Sequence, residues 1–168
     1  MLIDCSYFTK GSRRILNATI GTPTMPNAIE VNAAIEAYIA ELQEQYLMQA
    51  LGHVGSRVNA YLVCLDEDDA SKHNENIDSV CDRLRDSFAD YVFFHILRDM
   101  NTQSTMTGLV RLKCANEYVA PIRRQVSTWN AMVDKHRLFA EWCKSSDCTL
   151  SGISIDSDLL TKINPLNL

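Results

Sequence analysis

The residue types here that ligate metals or move protons are four histidines, six cysteines and one acidic run. Asp66-Glu67-Asp68-Asp69 offers oxygens for a hard cation, but it lacks the glycine turn and bidentate glutamate of a calcium loop. A solvated acidic loop is the simpler reading. Cys5, Cys64, Cys81, Cys114, Cys143 and Cys148 are scattered. Cys143 and Cys148 are spaced like half of a zinc site, yet no second Cys/His pair matches them. Buried or incidental thiols are therefore expected, as free cysteines usually are. The histidines are His53, His73, His95 and His136, of which His95 and His136 fall on the apolar stripes of two different predicted helices. His95 and His136 read either as a ligand pair across a core or, more commonly, as histidines satisfied within one. No serine or cysteine carries a nucleophile signature. Gly52-His53-Val54-Gly55 lacks the spacing and lysine of a phosphate loop. Neither a catalytic set, a cofactor nor a metal is implied.

The elements that would position these groups are mainly helical. Val31, Ile35, Tyr38, Ile39, Leu42, Tyr46 and Ala50 recur at three- and four-residue spacing, which predicts a helix over residues 28–51. Asn27 with Glu30 reads as its capping box, and Gly52 as its C-terminal glycine. Val54, Val58, Tyr61, Leu62 and Leu65 predict a second helix over 54–65. Ile77, Val80, Cys81, Leu84, Phe88, Tyr91, Val92 and His95 predict a third over 76–100, apolar on nearly all sides from Tyr91 to Leu97. That end is either the centre of the core or a subunit contact. Asn101 to Gly108 reads as a polar loop, with Leu109 to Leu112 as a short strand after it. Val119, Ile122, Val126, Trp129, Val133, His136 and Ala140 predict a last helix over 116–144, in which Pro121 marks either the first turn or a bend. Trp129 and Trp142 on it are core residues first and interface anchors second. The expected organisation is an arm over 1–26, a bundle of about four helices over 27–144 and a tail over 145–168.

Composition bounds the function. The 168 residues carry 16 Lys+Arg against 21 Asp+Glu, a net charge of −5, with 46% hydrophobic residues. This is too apolar for disorder and too acidic for a general nucleic-acid binder. No apolar run approaches a membrane span, and no secretory signal is legible at Met1 to Cys5, so a reducing cytosol is expected. Arg13-Arg14, Arg83/Arg85 and Arg123-Arg124 read as helix faces with ion pairs, or alternatively as contacts to an acidic protein.

The order of several motifs resembles the small head–tail connector (adaptor, or ring) proteins of tailed bacteriophages such as the crAss-like group. The motifs are Ile3-Asp4 followed by Phe8, Ile35-x-x-Tyr38-Ile39, Gln43-x-x-Tyr46-Leu47 and Leu51-Gly52. After them come Tyr91-Val92-Phe93-Phe94, Thr105-x-Thr107-Gly108 and Trp129-Asn130. The resemblance covers about residues 1–144; Pro121 departs from the pattern, and the tail beyond Lys144 has no counterpart. It implies a non-enzymatic virion protein, assembled in the host bacterial cytoplasm. Such a subunit forms a ring, commonly twelvefold, below the portal. The ring extends the DNA channel and docks tail components. Its partners would be further copies of itself, the portal and neighbouring tail or ring proteins. DNA would pass through the lumen without specific binding, with which an acidic net charge is compatible. The ring interface would use Tyr91, Phe93, Phe94 and Trp142, with the loop bearing Thr105, Thr107 and Gly108 projecting into the channel or onto a neighbour. Arm and tail would cross to adjacent subunits or the portal. The alternative is a small cytosolic helical adaptor or regulatory protein that binds another protein.

Overall fold

The chain is described by a computed structural model that covers residues 1–66, 73–99, 102–105, 108–111 and 122–164. Among these, four long helices carry the fold: α1 (Pro26–Leu51), α2 (Val54–Asp66), α3 (Glu75–Asp99) and α4 (Ile122–Trp142). A bundle of mainly α architecture is what the periodicity predicts.

Helix α1 starts differently from expectation. Pro26 occupies its first turn and the extended Met25 is the N-cap, with no side-chain cap bond. Proline's fixed φ suits that position, and its missing N–H is an orphan there anyway. The expected box of Asn27 and Glu30 is therefore displaced into the helix. The predicted stripe is buried through Ile35, Ile39, Leu42, Tyr46 and Ala50. Gly52 ends the helix at φ +64°, its amide bonded to the Met48 carbonyl at 2.9 Å. Only glycine takes that conformation without strain. Helix α2 then folds back so closely that a Cβ on Gly55 would lie 2.3 Å from the Leu47 carbonyl oxygen.

The Asn74 side chain caps α3, accepting from the amides of Asn76 and Ile77 at 3.1 and 3.3 Å. From Ser87 to Phe94 every residue of α3 is buried, so this helix is the central post of the bundle. It packs chiefly on α4, while α1 packs chiefly on α2. Helix α4 begins at Ile122; the expected start at 116, and Pro121 itself, lie outside the described residues. So do Glu67 to Asp69 of the acidic run and Cys114. Part of the predicted polar loop is instead a strand. Thr102–Thr105 (β1) pairs antiparallel with Gly108–Arg111 (β2), in the register Thr102↔Arg111 to Thr105↔Gly108. Polar, β-branched threonines satisfy a two-stranded ladder without any apolar alternation to announce it.

Both ends of the chain pack on the bundle. The arm forms two 3-10 turns, Cys5–Phe8 and Gly11–Arg13. It buries Leu2, Ile3, Cys5 and Phe8 in the common core. Full burial of a side chain such as Phe8 contributes about 1.5–3 kcal/mol. The Leu2 amide donates to Gln43 Oε1 at 2.7 Å, and Asn32 exchanges two 3.1 Å bonds with the Thr19 backbone. The tail crosses the α1–α2 corner, where the Asp156 amide meets the Gln49 carbonyl at 2.8 Å. It then runs along α4. There Trp129 Nε1 donates to the Thr161 carbonyl at 2.9 Å, and Asn130 bonds the Ile163 backbone in both directions. Over the described residues, both arm and tail dock on the bundle of their own chain.

Candidate functional site

The most unusual chemistry lies on the inner face of α4. His136 is fully buried, and neither ring nitrogen has a hydrogen-bond partner among the described residues. Its neighbours are aromatic, with Tyr46 at 5.5 Å and Phe139 at 6.5 Å between ring centroids. Burial alone pushes the imidazole down to about 4 from its ordinary 6.5, because an apolar interior disfavours the charged ring. The histidine is thus a core residue, as the stripe implied, but not a satisfied one. Next to it the Tyr46 hydroxyl and Ser87 Oγ share a 2.6 Å hydrogen bond, and both lie within reach of the Leu84 carbonyl, at 3.4 and 3.0 Å.

His95 occupies a different place. It stacks on Tyr91 at 4.6 Å and meets Phe94 edge-on at 5.6 Å. It lines a shallow cleft with Trp129, Arg98 and Leu159. Burial, with the Arg98 charge second, lowers it to about 4. Each histidine sits in its own aromatic setting. Among the described residues no group of three or more His, Cys, Asp or Glu could hold a metal ion.

A second polar cluster was not legible in the sequence. Asp90, only 5% exposed, is gripped by Arg13 Nη1 at 3.1 Å and Lys135 Nζ at 2.5 Å. Arg13 also bonds Asp86 at 2.8 Å, which holds the Asp86 carboxyl below the usual range. The cluster ties the arm to α3 and α4. Its one signal was an aspartate set between Ala89 and Tyr91 in an apolar run. Arg83 stacks on Trp142 at 4.5 Å, Arg85 pairs with Asp82 at 2.9 Å, and Arg124 covers Phe93 at 4.8 Å while donating to the Ser12 carbonyl. These arginines serve the chain itself, which agrees with the simpler of their two readings.

The residues expected at an interface are distributed as follows. Tyr91, Phe93 and Phe94 are 3%, 2% and 7% exposed, so the aromatic end of α3 is the centre of the core. Trp142 is buried beneath Arg83. Thr105 and Gly108 face each other across the hairpin, and Thr107 lies outside the described residues. The exposed apolar side chains are elsewhere: Leu16, Ile20, Met25 and Ile29, at 73%, 66%, 72% and 49%, on the arm and the first turn of α1, with Met1, Met48 and Val63 exposed singly at other places. Leu138 on α4 is 67% exposed. Leu16 and Ile20 are apolar enough to be expected to pack on something, but an irregular segment gives no period to tell which face they take; Ile29 and Leu138 lie off the predicted stripes of their helices.

No helix among the described residues is long and apolar enough to cross a membrane. Compared with known proteins, the chain matches no family model, no curated protein and no solved structure.

Proposed function

We propose that this chain is a structural virion protein, a head–tail connector subunit that forms a ring below the portal, extends the DNA channel and docks tail components. The reading rests on the motif order of residues 1–144. One structural observation carries it further. Leu16, Ile20, Met25 and Ile29 remain exposed on a chain whose core is already filled. These four exposed apolar side chains fall within fourteen residues of sequence, and exposed apolar surface of this kind marks association surfaces where it is contiguous. A closed ring needs a heterologous contact between two different faces of each subunit. The arm with the start of α1 supplies one face. The interface therefore shifts from the buried Tyr91–Phe94 rings to the arm.

The net charge of −5 is compatible with DNA sliding past without sticking. The test is the mass of the purified protein in solution, alone and mixed with a portal ring. A higher-order ring, or a stable complex with portal, is expected. A protein that stays monomeric and never co-purifies with portal or virions overturns the proposal.

A further inference from the structure

Cys143 is the first residue beyond α4, and Cys148 stands at the root of the tail. Consecutive turns bring the second back over the first. The Ser145 amide and hydroxyl both donate to the Trp142 carbonyl, at 3.0 and 2.8 Å. The Asp147 amide donates to Ser145 Oγ at 3.3 Å, and the Cys148 amide to the Ser145 carbonyl at 3.4 Å. The Cys148 thiol donates to the Leu150 carbonyl at 3.6 Å, at the mouth of a cleft that Cys143 also lines. Both are half-buried, and both line an open cleft between the end of α4 and the tail, with Lys144, Leu150 and Ile155. The other described cysteines lack this arrangement: Cys5 and Cys81 are buried, and Cys64 is exposed.

We infer that Cys143 and Cys148 form a modification site, a dithiol that closes to an intrachain disulfide when a small-molecule disulfide enters the cleft. One thiol loses its proton and attacks a sulfur of the reagent. That forms a mixed disulfide and expels one reagent thiolate. The second protein thiol then loses its proton and attacks the protein sulfur of the mixed disulfide, expelling the other thiolate. Two electrons pass from the protein to the reagent, which leaves as two thiols. Burial and the neighbouring Cys148 raise the Cys143 thiol, with the Arg83 charge offsetting part of the effect. Cys143 therefore rests protonated at neutral pH, and closure speeds up as the medium becomes alkaline. The bond would stitch the root of the tail to the end of α4.

The full-length protein is incubated with oxidised glutathione at mildly alkaline pH, then analysed by intact mass and peptide mapping. A product lighter by two hydrogen atoms, with the Cys143 and Cys148 peptides joined, is expected. Cys143→Ser should leave Cys148 as a glutathione adduct instead. Recovery of both thiols unmodified, or glutathione adducts without the crosslink, overturns the inference. The equilibrium in glutathione redox buffers separates the fold from mere proximity in sequence. Opening the native bond should need about tenfold more reduced glutathione than opening it in the urea-unfolded chain. Equal values would assign the bond to sequence spacing alone and overturn the fold's part in it.

Discussion

His136→Leu should flatten the dependence of stability on pH. The folded imidazole binds a proton only near pH 4, against 6.5 for an ordinary histidine. As pH falls, the unfolded chain therefore takes up the proton first. His136 thus favours the native state fully above 6.5. That contribution declines between 6.5 and about 4 and is gone below. At about 1.4 kcal/mol per pH unit, the whole window amounts to roughly 3 kcal/mol. Leucine has a similar volume and no nitrogen to leave unpaired. At neutral pH it should cost little, or stabilise by removing a desolvation penalty of about 1–3 kcal/mol. The assay is urea unfolding followed by circular dichroism, at a series of pH values across the window, for both proteins. His95 and the carboxylates titrate in both, so the difference between the two curves isolates His136. The wild type should lose ground on the variant steadily as pH falls. Parallel curves would refute the reasoning, because they would mean that the buried ring already has a partner for its proton.

Further outcomes follow from the packing. Asp90→Asn should destabilise by about 1–3 kcal/mol in urea melts; the value is discounted from a fully buried pair because Lys135 is partly exposed. Gly55→Ala should cost about 1–3 kcal/mol, since its Cβ meets the Leu47 backbone rather than a movable side chain. Leu84→Ala, at a fully buried site on α3, should cost about 2–5 kcal/mol, and a loss under about 0.5 kcal/mol would mean the stripe faces elsewhere. Leu16→Ser combined with Ile20→Ser should leave urea stability within about 0.5 kcal/mol. It should abolish ring or portal association in sedimentation, and unchanged association would remove the arm from the interface.

The long-range architecture was legible wherever hydrophobic period decides the structure. The stripes of α1 and α3 appear in the structure nearly residue for residue, because burying one face of a helix is the dominant local choice. The start of α1 was misread because a proline in the first turn overrides a merely adequate capping pair. The β1 strand escaped because its threonines and serine carry no alternation. The buried carboxylate at Asp90 was invisible for a different reason: its partners come from the arm and from α4, and no local pattern encodes a contact over that distance. His136 was placed on the correct face, but only the packed structure shows that nothing among the described residues bonds its nitrogens.

The Arg13–Asp90–Lys135 cluster also sets an order of events. Its members are 77 and 45 positions apart in the chain, and Arg124 reaches Ser12 across 112. Contacts of such separation form late, since loop closure must come before they contribute anything. The arm is made before α4, yet its docking site is complete only after α4 has emerged. The earlier-made arm is thus among the last parts of the bundle to settle. In the native protein it should be among the first to open, ahead of α3, in hydrogen exchange.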